Sequence, residues 1–436
     1  MPCPLFACQG LKDLDVLLAR LAGRDNPDSV TEDRVKEIIA QVAEKGDQAL
    51  ADFTRRFDCP DFTPASLTVP LEEIRAARTQ VPEADMDIIA EAARNIRVFH
   101  ERQKENSWWT TSVDGTILGQ MVRPVDSAGL YVPGGKGGET PLISSLLMNA
   151  IPAQVAGVAR LAMASPPRRD GTINPYILAA ADLLGVTEVY RMGSAWAVAA
   201  LALGTPTVAP VNVVAGPGNI FVATAKRLLS GKVGIDMIAG PSEILVIADD
   251  SANPAHLAAD MLSQAEHDPL AAAILLTTSA GLAEQTLAAL NVQTAALPRD
   301  EIARKALADY GAVAVVGSLA EAMDIANRIA PEHLELAVRD PFALLPMVGN
   351  AGAVFLGHMS PEPVGDYFAG PNHVLPTMGA ARFSSALSVE TFCKKTSVIA
   401  ASKSYIEAHG AKIARLARLE GLEAHARSVE SRLDAS

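Results

Sequence analysis

Hydrophobic and polar positions follow two different periods along the chain, and the period changes near residue 130. Before that point the apolar residues keep helical spacing. Val35, Ile38, Ile39 and Val42 recur at steps of three and four, as one buried helix face requires. Ser29 and Glu32 stand just ahead of them as a capping-box pair. Gly46-Asp47 interrupts the pattern, and Ala49, Leu50 and Phe53 resume it. A longer helix is expected over 82–102. Pro82 suits its first turn, and Ile88, Ile89, Ala92, Ile96 and Phe99 form its stripe.

After Leu130 short apolar runs alternate with helical patterns. Strands are expected at 128–132, 158–164, 187–192, 211–215, 243–248, 271–277, 312–316, 333–338 and 352–356. Helices fall between most of them, which is the signature of βαβ units and largely parallel sheets. The AGPS turn at 239–242 divides the alternation in the middle. The fold class is therefore α/β, with two incomplete Rossmann-like parallel-sheet domains and helical extensions at both ends. Residues 360–381 are dense in Gly and Pro and too long for a plain connector, so they are expected to be a functional loop. The last stretch, 400–433, reads as helix with Ile413, Leu416 and Leu419 on one side, and Gly421 ends it before a further helix that carries His425.

Composition narrows the classes. A chain of 436 residues with 49% hydrophobic residues has material for more than one domain, or for one large α/β body. The 37 basic and 50 acidic residues leave a formal charge of −13. That argues against a nucleic-acid surface, which needs clustered Lys and Arg. Apolar runs are broken well short of a membrane span, and the first residues lack the pattern of a signal peptide, so a cytoplasmic protein is expected. Cys3, Cys8, Cys59 and Cys393 have neither zinc-finger nor CxxC spacing and read as reduced thiols.

Candidate chemistry sits in four places. Asn253-Pro254 is a good helix start, and the helix runs into MLSQAEHDP at 261–269. Gln264 and His267 then lie on its flank about 60° apart, where an amide oxygen and an imidazole can ligate a metal or simply face solvent. Glu332 and His333 follow the helix-breaking Pro331. They form either a proton-transfer pair or a structural pair with one member packed and one exposed. Asp366 and His373 lie in the 360–381 loop, where an Asx-turn would explain the Asp equally well. Glu420 and His425 come near the end, with a solvated surface as the plain alternative. Two Gly-rich turns, LYVPGGKGGETP at 130–141 and VNVVAGPGNIFVATAKR at 211–227, could hold phosphate at a helix start. Neither is a GxGxxG fingerprint or a P-loop.

Taken in order, LYVPGGK, LMNAIPAQVAGV, AGPGNIFVATAKR, AGPSEILVIAD, LSQAEHDP, APEHLEL, GDYFAGPNHVLPT and LEAHARS closely resemble the histidinol dehydrogenase family over about residues 30–433. The resemblance implies NAD- and zinc-dependent oxidation of L-histidinol to L-histidine through L-histidinaldehyde, at the end of histidine biosynthesis. It implies one Zn2+ per subunit, held by Gln264, His267, Asp366 and, from the other subunit of a homodimer, His425. Glu332 and His333 match the family's proton-transfer residues. Ser242, Gln264, His267, His333, Asp366, His373, Glu420 and His425 match its substrate contacts. Tyr131 and Asn219 match NAD+ contacts. Where many relatives read GGAQA this chain reads GSAWA, so Trp196 takes a cofactor-side position at which an indole can stack but has a single N–H donor. The loop GGKGGETPLIS is also longer than in some relatives. The matching division is an N-terminal extension (1–28), a first α/β domain with metal and catalytic residues (29–129 plus 243–387), a second for NAD+ (130–242), and a helical dimerisation segment (388–436).

Three other readings compete. A dehydrogenase of another polar alcohol, such as a dihydroxypropane sulfonate, would call for Arg or Lys where Glu420 stands. A zinc hydrolase would use Glu332 to activate water without a nucleotide. A metal- or metabolite-binding protein would catalyse nothing.

Overall fold

The computed structural model describes residues 3–7, 11–24, 29–135 and 138–433. They form two compact units, one of residues up to Gln103 with Asp126–Phe392, the other of Lys104–Val125 with Cys393–Ser436.

The first unit contains two parallel sheets. In chain order its strands are β1 (Leu5–Ala7), then, after the pair β2 (Trp108–Thr111) and β3 (Ile117–Pro124) of the other unit, β4 (Ser127–Tyr131), β5 (Arg160–Ser165), β6 (Glu188–Arg191), β7 (Val213–Ala215), β8 (Gly234–Ile235), β9 (Glu243–Ala248), β10 (Ala272–Thr277), β11 (Ala312–Val315), β12 (His333–Ala337) and β13 (Ala353–Leu356). One sheet has the order β6-β5-β4-β7-β8, the other β1-β11-β10-β9-β12-β13. Strands β4, β9 and β10 are buried along their whole length, as expected of strands covered on both faces. This is why they appear in the sequence as unbroken apolar runs, and the predicted strands from 128 to 356 all find a counterpart. The helix expected at 82 runs Glu83–Glu101 behind Pro82. Its buried face, however, is Met86, Ile89, Ala92, Ala93, Ile96 and His100, and Ile88 and Phe99 are exposed. The face turns toward the small residues Ala92 and Ala93, which allow close packing.

Each sheet has its own core. Val35, Ile38, Val42, Leu50, Phe53 and Leu67 pack in one cluster with Tyr131, Tyr190, Trp196 and Val214 of the five-stranded half. The sequence reading grouped residues 29–129 with the six-stranded half. The helices Ser29–Lys45 and Asp47–Phe57 instead lay their apolar face on the helix Ser194–Leu203, an all-apolar helix that needs cover on its outer side.

The second unit holds an antiparallel sheet, β14 (Cys393–Ala400)-β3-β2, followed by helices Lys403–Leu419 and Glu423–Glu430. The break at Gly421 falls where the sequence placed it. Leu416 and Leu419 are exposed within this chain. Among the described residues no helix is long and apolar enough to cross a membrane.

Candidate active site

The site forms at the amino ends of β9 and β12. Glu243 opens β9 after the turn Gly240-Pro241-Ser242, and His333 opens β12 directly after Pro331-Glu332. The two strands are neighbours, with His333 paired to Ile244, so the head of one strand meets the head of the other. The backbone of Glu243 then serves both candidate proton-transfer residues. Its N–H donates to Glu332 Oε2 at 2.8 Å, and its carbonyl oxygen accepts from His333 Nδ1 at 2.9 Å. A carbonyl only accepts, so Nδ1 carries the ring proton and Nε2 is bare. Glu332 and His333 are both buried, and Glu332 Oε2 lies 3.6 Å from Nδ1. The bend at 332 brings both side chains to one place, which an extended strand would have denied them.

His333 Nε2 faces Glu362 Oε1 at 3.7 Å and Asp366 Oδ1 at 3.9 Å. These three residues offer ligand atoms all within 4.8 Å of one another. Glu362 and Asp366 are four apart on the short helix Glu362–Tyr367, hence on one face. Glu335, two residues beyond His333 on the same face of β12, accepts the N–H of Glu362 at 2.8 Å and so fixes the start of that helix. A cavity of about 390 Å³ opens beside His333, lined also by Phe99, Phe355, Asp366, His373 and Leu387.

Acids crowd the site. Burial pushes Glu332 well above the usual carboxylate range, against the pull of the Glu243 N–H. Burial, then the neighbouring Glu362, pushes Asp366 up to about 10. Burial lowers His333, with Glu362 acting the other way, and holds His373 at about 4. A bound cation would favour the ionised form of every one of these carboxylates. Buried atoms without a protein partner include Gln264 Oε1, His333 Nε2, Glu362 Oε1 and His373 Nε2. Two of these atoms, His333 Nε2 and Glu362 Oε1, lie 3.7 Å apart, and an unpartnered buried polar atom calls for an explanation such as a bound ion or ligand.

The other expected site residues fall as follows. Gln264 is buried in the last turn of the helix Pro254–Ala265. His267 lies just past the end of that helix and is exposed. Ser242 is half-buried next to Glu243. Glu420 and His425 belong to the second unit and are exposed there. Sequence reasoning missed Glu243, Glu335 and Glu362. Each left a trace as a carboxylate inside or heading an apolar run, or as the i−4 neighbour of Asp366.

The five-stranded sheet offers a second candidate edge. Its order reverses between β4 and β7, and the crevice outside the carboxyl ends at such a switch point is where nucleotides bind. Tyr131 ends β4. Its hydroxyl, pushed up to about 12 by burial, accepts the N–H of Ser194 at 3.1 Å. Gly216 follows β7 with φ 128°, and a Cβ there would meet Tyr131 O at 2.1 Å. The turn is pinned by a buried ion pair of Lys226 and Asp236. Lys226 Nζ donates to Gly216 O at 2.9 Å and Asp236 Oδ2 accepts from Gly216 N at 2.8 Å. Asn219 caps the helix Ile220–Leu229 through Phe221 N and Val222 N. Trp196 is buried and stacks with Phe53 and Phe57, each at 5.6 Å, while its Nε1 has no protein partner. The stacking expected of it toward a cofactor thus meets an indole already engaged by two rings. Residues 136–137 of the first Gly-rich turn lie outside the described residues.

Residues 22–433 match the family model described as histidinol dehydrogenase. Histidinol dehydrogenase of Oleidesulfovibrio alaskensis is 63% identical over 433 residues, covering 99% of this chain and 100% of that one. Histidinol dehydrogenase of Nitratidesulfovibrio vulgaris is 64% identical over 432 residues, covering 99% of each. A solved histidinol dehydrogenase from Elizabethkingia anophelis superposes with a TM-score of 0.94 at 37% identity, covering 100% of this chain and 98% of that one.

Proposed function

The chain belongs to the histidinol dehydrogenase family, and from that premise we propose that it oxidises L-histidinol to L-histidine in two steps with NAD+ and a zinc ion. The observation that carries this reading is the bare, buried Nε2 of His333, aimed at the acid pair Glu362 and Asp366 with Glu332 alongside.

Zinc would be held by Gln264, His267, Asp366 and the equivalent of His425 from a second copy. The unpartnered Gln264 Oε1 and the crowded carboxylates support such a cation. When bound, the ion orients the amine and imidazole of the substrate. NAD+ would be held near Tyr131, Asn219 and Trp196 and would supply the hydride acceptor. The remaining chemistry belongs to side chains. His333 Nε2 takes the hydroxyl proton as the alcohol becomes the aldehyde. Its lowered pKa keeps it unprotonated for that task. Glu332 takes a proton from the water that adds to the aldehyde, and His333 returns its own to the carbonyl oxygen. The resulting diol loses its second hydride while His333 Nε2 again takes the hydroxyl proton. Ser242, His373 and Glu420 hold the substrate, and a closed site keeps the reactive aldehyde from solvent.

We infer a homodimer with shared sites because Glu420 and His425 are exposed, as are Leu416, Leu419 and Leu422 around them. That apolar helix surface is suited to burial against a second copy.

The test is stoichiometric. With histidinol and NAD+, two NADH should appear for each histidine formed. One NADH with free aldehyde would contradict the two-step scheme, and none with zinc intact would turn the assignment toward a hydrolase or binding protein.

A further inference from the structure

Arg24 stands outside all the roles above, yet it is one residue removed from the reacting groups. It follows the helix Leu11–Ala22, in the stretch that sequence reasoning set aside as an extension. Its guanidinium is buried. Nε donates to Leu21 O at 3.2 Å, Nη1 donates to Leu270 O at 3.3 Å, and Nη2 pairs with Glu243 Oε1. The ring of Tyr310 lies 5.7 Å from the guanidinium carbon. Side-chain exposure in the pair is 1% for Arg24 and 5% for Glu243. An ion pair this dry is held by geometry, because neither charge has water to fall back on.

Glu243 is the residue whose peptide groups hold Glu332 Oε2 and His333 Nδ1. As the first residue of β9 it sits at the end of the ladder, directly after the Gly240-Pro241-Ser242 turn. Strand pairing orders it on one side only. Its side chain, tied by Arg24, supplies the other constraint. We propose that Arg24 is a positioning residue. Through Glu243 it fixes the tautomer of His333 and the aim of the Glu332 carboxylate. Without the guanidinium, the Glu243 carboxylate is left buried with one oxygen already unpartnered. It must then take a proton or move toward water, and either shifts the peptide on which both groups hang.

This rests on the reading of Glu332 and His333 as the proton-transfer pair. The two fail separately. If His333→Asn retains full turnover, that reading falls. If His333→Asn is inactive while the Arg24 variants turn over normally, only the present proposal falls.

The experiment uses the full chain loaded with zinc, assayed with histidinol and NAD+. Arg24→Gln should lower kcat by about tenfold or more, as loss of a group orienting an active-site imidazole does. Dissociation constants for NAD+ and histidinol should stay within about twofold. Arg24→Lys should recover part of the loss, and added guanidinium should recover part of it in Arg24→Gly. Should the single variants fail to fold, Arg24→Met/Glu243→Met removes both charges together and leaves none buried alone. Its kcat should fall to the same extent. A folded single or double variant with wild-type kcat would overturn the proposal. So would a loss expressed in the two dissociation constants rather than in kcat.

Discussion

His333 Nδ1 lies 2.9 Å from the carbonyl oxygen of Glu243, the residue that opens the neighbouring strand. The pairing of β9 with β12 brings the two strand heads side by side, and this contact leaves Nε2 as the free nitrogen of the imidazole.

Glu332→Gln separates the two oxidation steps. The amide can still accept the Glu243 N–H but cannot take a proton from water. Oxidation of the alcohol should survive largely intact, while oxidation of the aldehyde falls on the order of 10²-fold. Rates measured separately from histidinol and from histidinaldehyde check this, and equal losses in both would count against the role given to Glu332.

Asp366→Ala and His425→Ala should each lower zinc content, read by metal analysis of the purified protein. Full occupancy in either would refute that ligand. A His425→Ala protomer exchanged with a His333→Asn protomer should regain about a quarter of wild-type activity. Random pairing makes half the dimers mixed, each with one intact site. No recovery after confirmed exchange would mean that each site is built within one chain.

The turn at Gly216 depends on two buried charges. Lys226→Met leaves Asp236 alone at 0% side-chain exposure, which should cost about 3–5 kcal/mol in urea unfolding. Lys226→Met/Asp236→Leu should regain more than half of that loss. If the double variant is no more stable than the single, the penalty comes from lost packing and the electrostatic account fails.

Asp58 offers a pH test away from the acid cluster. Burial pushes its carboxyl up to about 7, and Oδ2 has no partner. The native chain therefore holds a proton that the unfolded chain has released between roughly pH 4 and pH 7. The stability that Asp58 contributes is thus lost as pH rises through that window. Asp58→Asn should match the wild type in Tm near pH 4 and exceed it above about pH 7. A Tm difference that does not change with pH would exclude burial of this charge as the cause.

The readable and unreadable parts of the sequence differ for physical reasons. Strands β4, β9, β10 and β12 are buried from end to end, and their apolar runs announce them. Strands β2, β3 and β14 went unread. Trp108, Trp109, Leu118 and Ile399 on them are exposed within one chain, so no alternation of buried and exposed positions marks the pairing. Of the residues the structure brings together, Glu332, His333 and Asp366 were legible as motifs. Glu243 and Glu362 were not, because each acts through a contact far away in sequence: Glu243 on residues 89 and 90 further on, Glu362 on His333. Periodicity reports which face is buried, and it is silent about which strand head lies beside which.

The heads of β9 and β12 carry the candidate site, so the tails of the central strands lie away from it. The turn after β10, where Thr278 is exposed, lies at the far end of the sheet. A fluorophore, an affinity handle or a covalent linker to a solid support can be grafted there, with the length of the strands as a spacer between the attachment and the reacting groups.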